Sequence, residues 1–399
     1  GEIIMADANR VQVSTLEESV WGTKTTSAPF IELPITGGSM SESPDTVRSS
    51  QLRSDAQMAA MKRTGIEPAA AFDFEMQGDN FDILMRAALR NSSSNNWTAH
   101  NLTAADITVA SGDKSYASAA SAFSASIVRG SWIYVSGFTD PANNGWKQVS
   151  TTTEVTAAKI IVMQTLVSEV AGDSVTLSSQ VIRNGSDLTS FSLQMQNLDV
   201  TSAFRLMLGS RITDFGLNIT SQSIITGNIG FNGKKMSRPT AESGSTAVTA
   251  AANSDVMSEV SSFDGFWIGG AEITAYEMVS ASLNIATTAR PQNGLGNLEK
   301  VGMNLGPIEI SGSMEFYLET ANYATLQDYL LNFTSFDFAF ALSDGTNRYL
   351  FHMPQVKLTS EPGTVGGIDT DMMLSFDFAA DPADIGGSVT KTIQVSRVS

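Results

Sequence analysis

Histidine and cysteine, the residues that most often build catalytic and metal centres, are nearly missing from this chain. Its 399 residues include no cysteine and two histidines, His100 and His352, which lie far apart in the sequence. The lack of cysteine excludes a disulfide framework, a thiolate nucleophile and a thiolate metal site. Two distant histidines give a Ser-His-Asp triad or a two-histidine metal site little to build on. We therefore expect no catalytic residue and no metal ligand, with His352 an ordinary strand residue.

Acidic residues are the next set that could do chemistry. Asp73 with Glu75, and Glu315 with Glu319, could be offered as the two carboxylates of a glycosidase. They alternate with apolar residues, however, which favours the solvated face of a strand. A further acidic set could suggest calcium, but its spacing does not match an EF-hand and no glutamate closes it. It comprises Asp369, Asp371, Asp377, Asp381 and Asp384.

Two glycine-containing segments resemble fragments of nucleotide-binding motifs. Residues 294–299 begin like a dinucleotide fingerprint but lack its third glycine and its strand-turn-helix setting. Residues 233–235 lack the remaining positions of a phosphate-binding loop. We expect ordinary turns in both places and no cofactor.

The charge balance argues against a protein that grips nucleic acid. The 24 Lys and Arg residues are outnumbered by 41 Asp and Glu, and the formal net charge is −17. Such a chain repels phosphate in bulk. Charged residues make up only 16% of the chain, which is typical of β-rich assemblies whose surfaces bury one another. No apolar run approaches the roughly 18 residues of a membrane-spanning helix, and the first residues do not resemble a secretory signal.

A duplicated pattern of one strand followed by one helix is the most informative feature of the sequence. Apolar residues alternate in the strand and recur at helical spacing after it. In the first copy they are Phe72, Phe74 and Met76, then Phe81, Leu84, Met85, Ala88 and Leu89. In the second copy they are Met314, Phe316 and Leu318, then Tyr323, Leu326, Leu330 and Leu331. The spacing predicts that Asp79 or Asn80 caps the first helix and that Asn322 precedes the second.

The strands after each helix also correspond, but at a shorter offset. The segment starting at Phe191 matches the one starting at Phe336. Further downstream, Arg205-Leu206-Met207 matches Arg348-Tyr349-Leu350, and Ile229-Gly230-Phe231 matches Leu374-Ser375-Phe376. The change of offset predicts an insertion in the first copy. We expect strands in this insert at residues 131–135, 159–162 and 174–177, and no clear period in its Ala- and Ser-rich part up to residue 126.

The domain layout follows from these matches. We expect a first domain at residues 1–91 and 189–238, an inserted small β domain at 92–188, a linker at 239–253, and a second domain at 254–399. The fold class is mainly β: two tandem β-sandwich or barrel domains, each with a short flanking helix, plus the inserted all-β domain. Polar stretches at residues 43–65 and 290–306 are predicted to be long surface loops.

This order of strand, long loop, strand and helix resembles the tail tube proteins of bacteriophages, and residues 224–233 look like the closing hairpin of that family. The resemblance implies a siphophage-type structural virion protein whose sheets join between neighbours into rings around a DNA channel. For this duplicated chain it implies trimeric, pseudo-hexameric rings that stack into the major tail tube. Other implied partners are the tape measure, tail tip and terminator proteins. Genomic DNA passes without specific binding, the location is the phage tail after assembly in the host cytoplasm, and neither an enzyme, a cofactor nor membrane insertion is expected.

The resemblance also assigns roles to residues. It makes the two long loops candidate contacts between rings, through Arg48, Arg53, Lys62, Arg63, Arg290, Glu299 and Lys300. It makes Asp73, Glu75 and Glu315 candidates to face the channel, where like charge keeps DNA from adhering. The insert is expected on the outer wall.

Two other classes of protein remain open from the sequence. One is a surface decoration or host-binding β-protein of a phage or bacterium, since β modules with Ser- and Thr-rich linkers also suit recognition. The other is a secreted β-sandwich enzyme, against which the sparse histidines argue. A subunit that stays monomeric and binds glycans would favour the first of these.

Overall fold

The computed structural model describes residues 7–26, 28–92, 97, 100–124, 127–153, 155–244, 247–361, 371–387 and 389–399. Strands account for 51% of the chain and helices for 7%, so the predicted mainly β class is confirmed. Among the described residues, no helix is long and apolar enough to cross a membrane.

The chain begins with four strands and a helix that carry the first copy of the repeated pattern. They are β1 (Val11–Glu17), β2 (Ile31–Glu32), β3 (Gly37–Arg48), β4 (Met61–Glu75) and α1 (Asp82–Ala88), with a 3-10 turn at Ala8–Arg10 before β1. In β4 the side chains of Phe72 and Phe74 are buried and that of Asp73 is exposed. This is the alternation that the sequence predicts for a strand with one buried face.

The predicted cap of helix α1 is wrong. The N-cap residue is Phe81, and it makes no side-chain cap hydrogen bond. Asp79 forms an ion pair with Arg397 instead, and the Asn80 amide donates to the backbone carbonyl of Ala252 at 3.1 Å. Both side chains are therefore committed to contacts with distant segments.

The next seven strands are short. The first three of them lie in the Ala- and Ser-rich part up to residue 126, where the sequence shows no clear apolar period. They are β5 (His100–Ala104), β6 (Ile107–Ala110), β7 (Ser115–Ser118), β8 (Trp132–Ser136), β9 (Gly145–Gln148), β10 (Lys159–Ile161) and β11 (Val175–Arg183), with a 3-10 turn at Pro141–Asn143. Strands β8, β10 and β11 confirm the three predicted strands of this region. Strands β5 to β7 were not predicted, since their small Ala, Ser and Thr side chains give little apolar contrast. Ile107, Tyr116, Ile133 and Val175 belong to a separate apolar core here.

The remaining elements complete the first copy and form the second. They are β12 (Phe191–Asn197), β13 (Phe204–Thr220), β14 (Thr226–Asn232), β15 (Lys235–Ser237), α2 (Glu259–Ser262), β16 (Phe263–Ile268), β17 (Ala271–Glu272), β18 (Met278–Gln292), β19 (Gly302–Tyr317), α3 (Thr320–Leu331), β20 (Phe336–Ser343), β21 (Arg348–Ser360), β22 (Met373–Ala380), β23 (Ala383–Asp384), β24 (Thr390–Lys391) and β25 (Gln394–Val398). Helix α3 confirms the second predicted helix. It starts three residues before Tyr323, and Asn322 lies inside it, where it forms a capping box with Glu319.

One antiparallel sheet passes through both halves of the chain. Its strand order is β3, β4, β14, β13, β18, β19, β22, β21. One face of this sheet is apolar and buried: Phe72, Ile229, Phe215, Ile285 and Ile310 lie side by side across five strands. The core is thus shared by the two halves rather than closed within each.

Strand pairing repeats along the chain. We call β3, β4, α1 and β12 to β14 the first repeat, and β18, β19, α3 and β20 to β22 the second repeat. The first repeat has β-bulges at residues 191–193 and 212–214. The second repeat has bulges between the corresponding strands, at residues 336–338 and 358–360. Because a bulge changes strand register locally, its recurrence at matching places is independent support for the duplication.

The pairing corrects one of the sequence matches by three residues. Leu193 pairs with Met207, and Phe338 pairs with Met353. Met207 therefore corresponds to Met353 and not to Leu350. Residues 193 and 207 are 14 positions apart and residues 338 and 353 are 15 apart, whereas the sequence match requires the connection in the second repeat to be the shorter one.

The match of the closing strands is also wrong, by two residues. Ile229 pairs with Phe72, and Phe376 pairs with Met314. Ile229 therefore corresponds to Phe376 and not to Leu374. A shift of two residues leaves the alternation of apolar side chains unchanged, so the sequence pattern does not reveal it.

The two predicted long loops are mostly strands. β3 and β4 extend to Arg48 and from Met61, which leaves residues 49–60 as the loop. β18 and β19 extend to Gln292 and from Gly302, which leaves residues 293–301. The sequence hid these extensions because residues 43–48 and 61–65 are mostly exposed and lack the apolar alternation of a half-buried strand.

The inserted strands pack against the second repeat. β11 pairs with β25, which also pairs with β21. The indole rings of Trp132 and Trp267 lie 5.3 Å apart, measured between ring centroids. Buried His352 lies beside them in β21, where its Nε2 is 2.6 Å from a carboxylate oxygen of Asp337. The inserted segment is therefore held by strand pairing and by aromatic packing.

Candidate functional surface: the polar face of the shared sheet

The face of the shared sheet opposite the apolar core is built from small and polar residues. One row across seven strands consists of Gly37, Asp73, Asn228, Gly216, Asn284, Ser311 and Ala379. We call this surface of β3, β4, β14, β13, β18, β19 and β22 the polar face. A side chain at Gly216 would place its Cβ only 2.3 Å from the Asn228 Oδ1. Because the side chains of this row are short, none of them projects far from the sheet.

The charges on the polar face have one sign. The acids on it are Asp73, Glu75, Asp214, Glu309, Glu315 and Asp377. The seven strand segments that form its centre contain no Lys or Arg; they are residues 37–43, 69–75, 214–220, 226–232, 280–286, 309–317 and 373–379. A sheet surface with acids and no bases offers phosphate no counter-charge and repels it.

The structure brings the three proposed channel-facing residues onto this one surface. Asp73 and Glu75 lie on β4, and Glu315 lies on β19 in the other repeat. The Glu315 carboxylate accepts a hydrogen bond from the Ser280 hydroxyl at 3.3 Å. All three belong to a row of side chains that points away from the apolar core.

Sequence reasoning missed three acids of the polar face. Asp214 follows a bulge, whereas Glu309 and Asp377 lie in regular alternations, and strand register was needed to place all three on the same face as Asp73. Asp214 accepts a hydrogen bond from the Asn228 amide at 2.5 Å. The alternation in β19, where Glu309 and Glu315 lie an even number of positions apart, could have found Glu309, and the position between Phe376 and Phe378 could have found Asp377.

Most of the proposed inter-ring residues lie on the long hairpins and their tips. Arg53 is in loop 49–60, while Arg48, Lys62 and Arg63 are on the adjoining strands; all four are exposed. Arg63 forms an ion pair with Glu42 at 2.7 Å. In the second hairpin, Arg290 lies in β18, and its guanidinium donates to the backbone carbonyl of Leu305 at 3.2 Å. Glu299 is in loop 293–301, and its carboxylate lies 3.4 Å from the Lys235 ammonium.

Lys300 differs from the other proposed contacts because it is buried. Its side chain is only 1% exposed, and its ammonium group lies 2.8 Å from the Glu67 carboxylate and 2.6 Å from the Asn232 amide oxygen. It joins the hairpin tip of the second repeat to the first repeat. The ammonium is therefore not free to contact another subunit, and this assignment is wrong.

The two repeats meet strand to strand. β13 of the first repeat pairs with β18 of the second through seven consecutive residues, from Asp214 opposite Ala286 to Thr220 opposite Ser280. The counterpart of β18 in the first repeat is β3. Among the described residues, β3 pairs with β4 alone. The same strand position is thus covered in one repeat and is an edge in the other.

A buried ionic cluster reinforces this junction at the start of helix α1. Asp82 accepts a hydrogen bond from the Tyr349 hydroxyl at 2.8 Å, and Arg397 forms ion pairs with both Asp79 and Asp82. Tyr349 and Arg397 come from β21 and β25. Burial raises the pKa of Asp82 from its ordinary value to about 6, although Arg397 and Tyr349 act in the opposite direction.

In the part of the chain that the structure describes, no group of three or more His, Cys, Asp or Glu residues is arranged to hold a metal ion. Of the C-terminal acids, Asp371, Asp377, Asp381 and Asp384 are described and Asp369 lies outside the described residues.

The comparison with protein families identifies the class of this chain. The model of the family described as phage tail tube protein matches residues 8–380. The chain therefore belongs to the phage tail tube protein family. Membership makes it a structural component of a virion tail that assembles with itself and with other tail proteins. A comparison with curated protein sequences gave no match.

Proposed function

We propose that this chain is the major tail tube subunit of a siphophage-type virus and that three copies close into a ring around a DNA channel. In this proposal residues 1–91 with 189–238 and residues 254–399 are two tube domains joined by a linker at 239–253, and residues 92–188 are an inserted domain on the outer surface. Three chains then supply six tube domains. Rings stack into a hollow tube, which is assembled in the host cytoplasm with the tape measure, tail tip and terminator proteins.

The observation that carries this proposal is the strand-to-strand junction inside the chain. β13 and β18 already join one repeat to the next in a single sheet, and the edge strand β3 occupies the position that β18 occupies in that junction. A head-to-tail contact that repeats with a rotation of about 60° closes after six units. An exposed edge strand is an aggregation hazard in a monomer, whereas in a closed ring it becomes the joint between subunits.

The register of the internal junction defines the register expected between chains. Ala286 pairs with Glu309. Glu309 corresponds to Glu67 of the first repeat, and Glu67 pairs with Ser43. Ala286 therefore corresponds to Ser43. Asp214 corresponds to Ser360, because each lies directly after the matching bulge. The internal pair of Asp214 and Ala286 therefore has its intersubunit equivalent in Ser360 of one chain and Ser43 of the next.

The polar face supports the assignment of the channel. In a sheet closed by these junctions, one face lines the lumen and the other faces the apolar core. The polar face has six acids and no base in its central segments, and so it suits a wall along which DNA slides without adhering. We assign Asp73, Glu75 and Glu315 to the lumen, together with Asp214, Glu309 and Asp377.

The two hairpin tips are suited to contacts between stacked rings. Leu52 and Leu295 lie at these tips and are fully exposed, which is costly for apolar side chains unless a partner covers them. Arg48, Arg53, Lys62 and Arg63 add positive charge to an otherwise acidic chain. Contacts of these residues with an acidic surface of the next ring would align the rings.

Electron microscopy and mass photometry of the purified chain test this proposal. We expect rings with a central hole, particles of three 42.4 kDa chains, and tubes at higher concentration. Leu52→Asp with Leu295→Asp should leave rings but shorten or abolish tubes. A chain that remains monomeric and binds glycans would contradict the proposal and favour a decoration or host-binding protein.

A further inference from the structure

The second repeat leaves uncovered an apolar surface that the first repeat buries. Leu318, Tyr323 and Met372, which we call the α3 surface, are 38%, 51% and 46% exposed. Leu318 and Tyr323 correspond to Met76 and Phe81, which are 0% and 1% exposed.

Met372 corresponds to Ile225, because the two residues accept equivalent backbone hydrogen bonds. The backbone N–H of Leu318 donates to the Met372 carbonyl at 2.9 Å, and that of Met76 donates to the Ile225 carbonyl at 2.8 Å. Ile225 is fully buried. Three matched positions therefore differ in the same direction, which points to a missing neighbour rather than to a local change of sequence.

The missing neighbour can be read from the first repeat. Met257, which lies between the linker and α2, donates its N–H to the Met76 carbonyl at 2.8 Å and accepts from the Ile225 N–H at 2.9 Å. The turn between β20 and β21 closes over the start of α1, where Asn347 donates to the Asp79 carboxylate at 3.2 Å. The second repeat thus covers the first with one extended segment and one turn.

The corresponding turn in the first repeat exposes two apolar side chains. It comprises residues 198–203, between β12 and β13, and its Leu198 and Val200 are both more than two-fifths exposed. The first repeat cannot place this turn on its own chain's α3 surface in the same manner, because it lies on the other side of the internal junction. The first repeat of a second copy can do so.

Beside Tyr323 an open groove provides room for such a turn. Its volume is about 430 Å³, and it is lined by Leu318, Glu319, Thr320, Tyr323 and Ala324. Thr320 corresponds to Gly78, where an added Cβ would lie 2.3 Å from the Asp344 carboxylate. The groove is therefore at the place where the turn touches the first repeat.

We propose that the α3 surface is the docking site for residues 198–203 of a second copy of this chain. This inference rests on the proposed ring and adds an apolar contact to the strand joint, on the side of the subunit opposite to β3. The position that would correspond to Met257 lies before residue 7, outside the described residues, so the turn alone carries the proposal.

Leu331 is exposed on the same helix but is not part of this site. Its counterpart Leu89 is covered by the returning end of the inserted segment, where the Gly185 N–H donates to the Leu89 carbonyl at 2.8 Å. The second repeat has no such insertion. The structure therefore names no intersubunit partner for Leu331.

Disulfide trapping tests the contact, and the cysteine-free chain gives it a clean background. A Thr320→Cys, Val200→Cys chain under mild oxidation should form a covalent ladder that ends at the trimer. Either single variant should stay monomeric under denaturing conditions. A matched control, Val170→Cys with Val200→Cys, uses a residue that is 83% exposed in the inserted segment and should give no ladder. Absence of the ladder with the first pair, or dimers from Thr320→Cys alone, would overturn the proposal.

A charge substitution separates this inference from the proposed function. Tyr323→Asp should retain the monomer's circular dichroism and melting temperature but lower ring yield at least tenfold, while Val170→Asp should form rings like the unsubstituted chain. Normal ring yield from Tyr323→Asp would contradict the α3 docking site and leave the tube function standing. An unsubstituted chain that forms no rings would contradict the tube function, and the disulfide ladder would still report directly whether the two surfaces meet.

Discussion

The two repeats have the same strand pairing but different surroundings. In the first repeat, helix α1 and the end of β4 are buried beneath the second repeat, and Asp82 is held by Tyr349 and Arg397. In the second repeat, helix α3 carries an exposed tyrosine at the position of buried Phe81. One complete junction between repeats is therefore present within the chain, and among the described residues β3 has no neighbour at the edge that corresponds to the one β18 shares with β13.

The largest difference in the free energy of unfolding is expected between truncation of Phe81 and truncation of its counterpart Tyr323. Phe81→Ala removes a buried ring stacked 4.1 Å from Phe74 and should lower the free energy of unfolding by about 3–5 kcal/mol. Tyr323→Ala should lower it by no more than about 0.5 kcal/mol in the unassembled chain, because exposed side chains contribute little. Urea denaturation of the dilute chain checks both values. Equal losses at the two positions would show that α3 is covered within the monomer.

The pH dependence of stability should reveal the buried acid of the first junction. The pKa of Asp82 is about 6 in the folded chain and 3.8 in the unfolded chain. The stability that depends on a protonated Asp82 carboxyl is therefore fully present below pH 3.8 and is lost as pH rises through 6. This loss amounts to about 3 kcal/mol. Asp82→Asn should remove that dependence, as measured by thermal melting between pH 4 and pH 7. Parallel melting curves for the two proteins over this range would contradict the assigned role of burial.

Two lysines near the tip of the second hairpin, Lys300 in its loop and Lys235 in β15, should differ less in their contribution to stability. Lys300→Met breaks a buried contact with Glu67 and Asn232 and should cost about 2 kcal/mol. Lys235→Met breaks the exposed pair with Glu299 and should cost less than about 1 kcal/mol. Denaturation in low and high salt measures both, and only the Lys235 effect should shrink with salt. If the Lys235 variant were the less stable one, Lys300 would not be the link between the repeats.

A charge placed on the polar face should barely change stability but should alter contact with DNA. Ser311→Lys, at an exposed position of β19, should change the free energy of unfolding by about 0.5 kcal/mol or less. Assembled tubes of this variant should retain DNA at low salt and release it at high salt. Ser311→Glu is the matched control and should retain none. Equal DNA retention by the two tubes would place the polar face away from the channel.

The sequence predicts the parts of this fold in which apolar residues alternate or recur at helical spacing. Phe72 and Phe74 in β4, the two helices and three inserted strands were found in this manner. The long extensions of β3 and β18 were not, because Ser43, Thr46 and Arg290 pair with neighbouring strands but are not part of an apolar alternation. The buried positions of Asp82 and Lys300 also depend on tertiary packing, which local sequence does not encode.

The sequence predicted only the acids next to the two predicted helices, Asp73, Glu75 and Glu315. Asp377 also lies between two phenylalanines but in a strand far from those helices, and Asp214 follows a bulge at residues 212–214 that interrupts the alternation. Strand pairing also moved two of the sequence matches between repeats, one by three residues and one by two. A pattern with a period of two cannot detect a shift of two residues, so only the pairing fixes the second of these positions.

Cryo-electron microscopy of the assembled ring at side-chain resolution tests the central claim most directly, that the contact between chains repeats the junction within the chain. The account predicts six similar units from three chains, with β3 of each chain paired to the neighbouring chain and Ser43 opposite Ser360. Rings in which β3 stays unpaired, or in which two chains meet through identical surfaces, would contradict it.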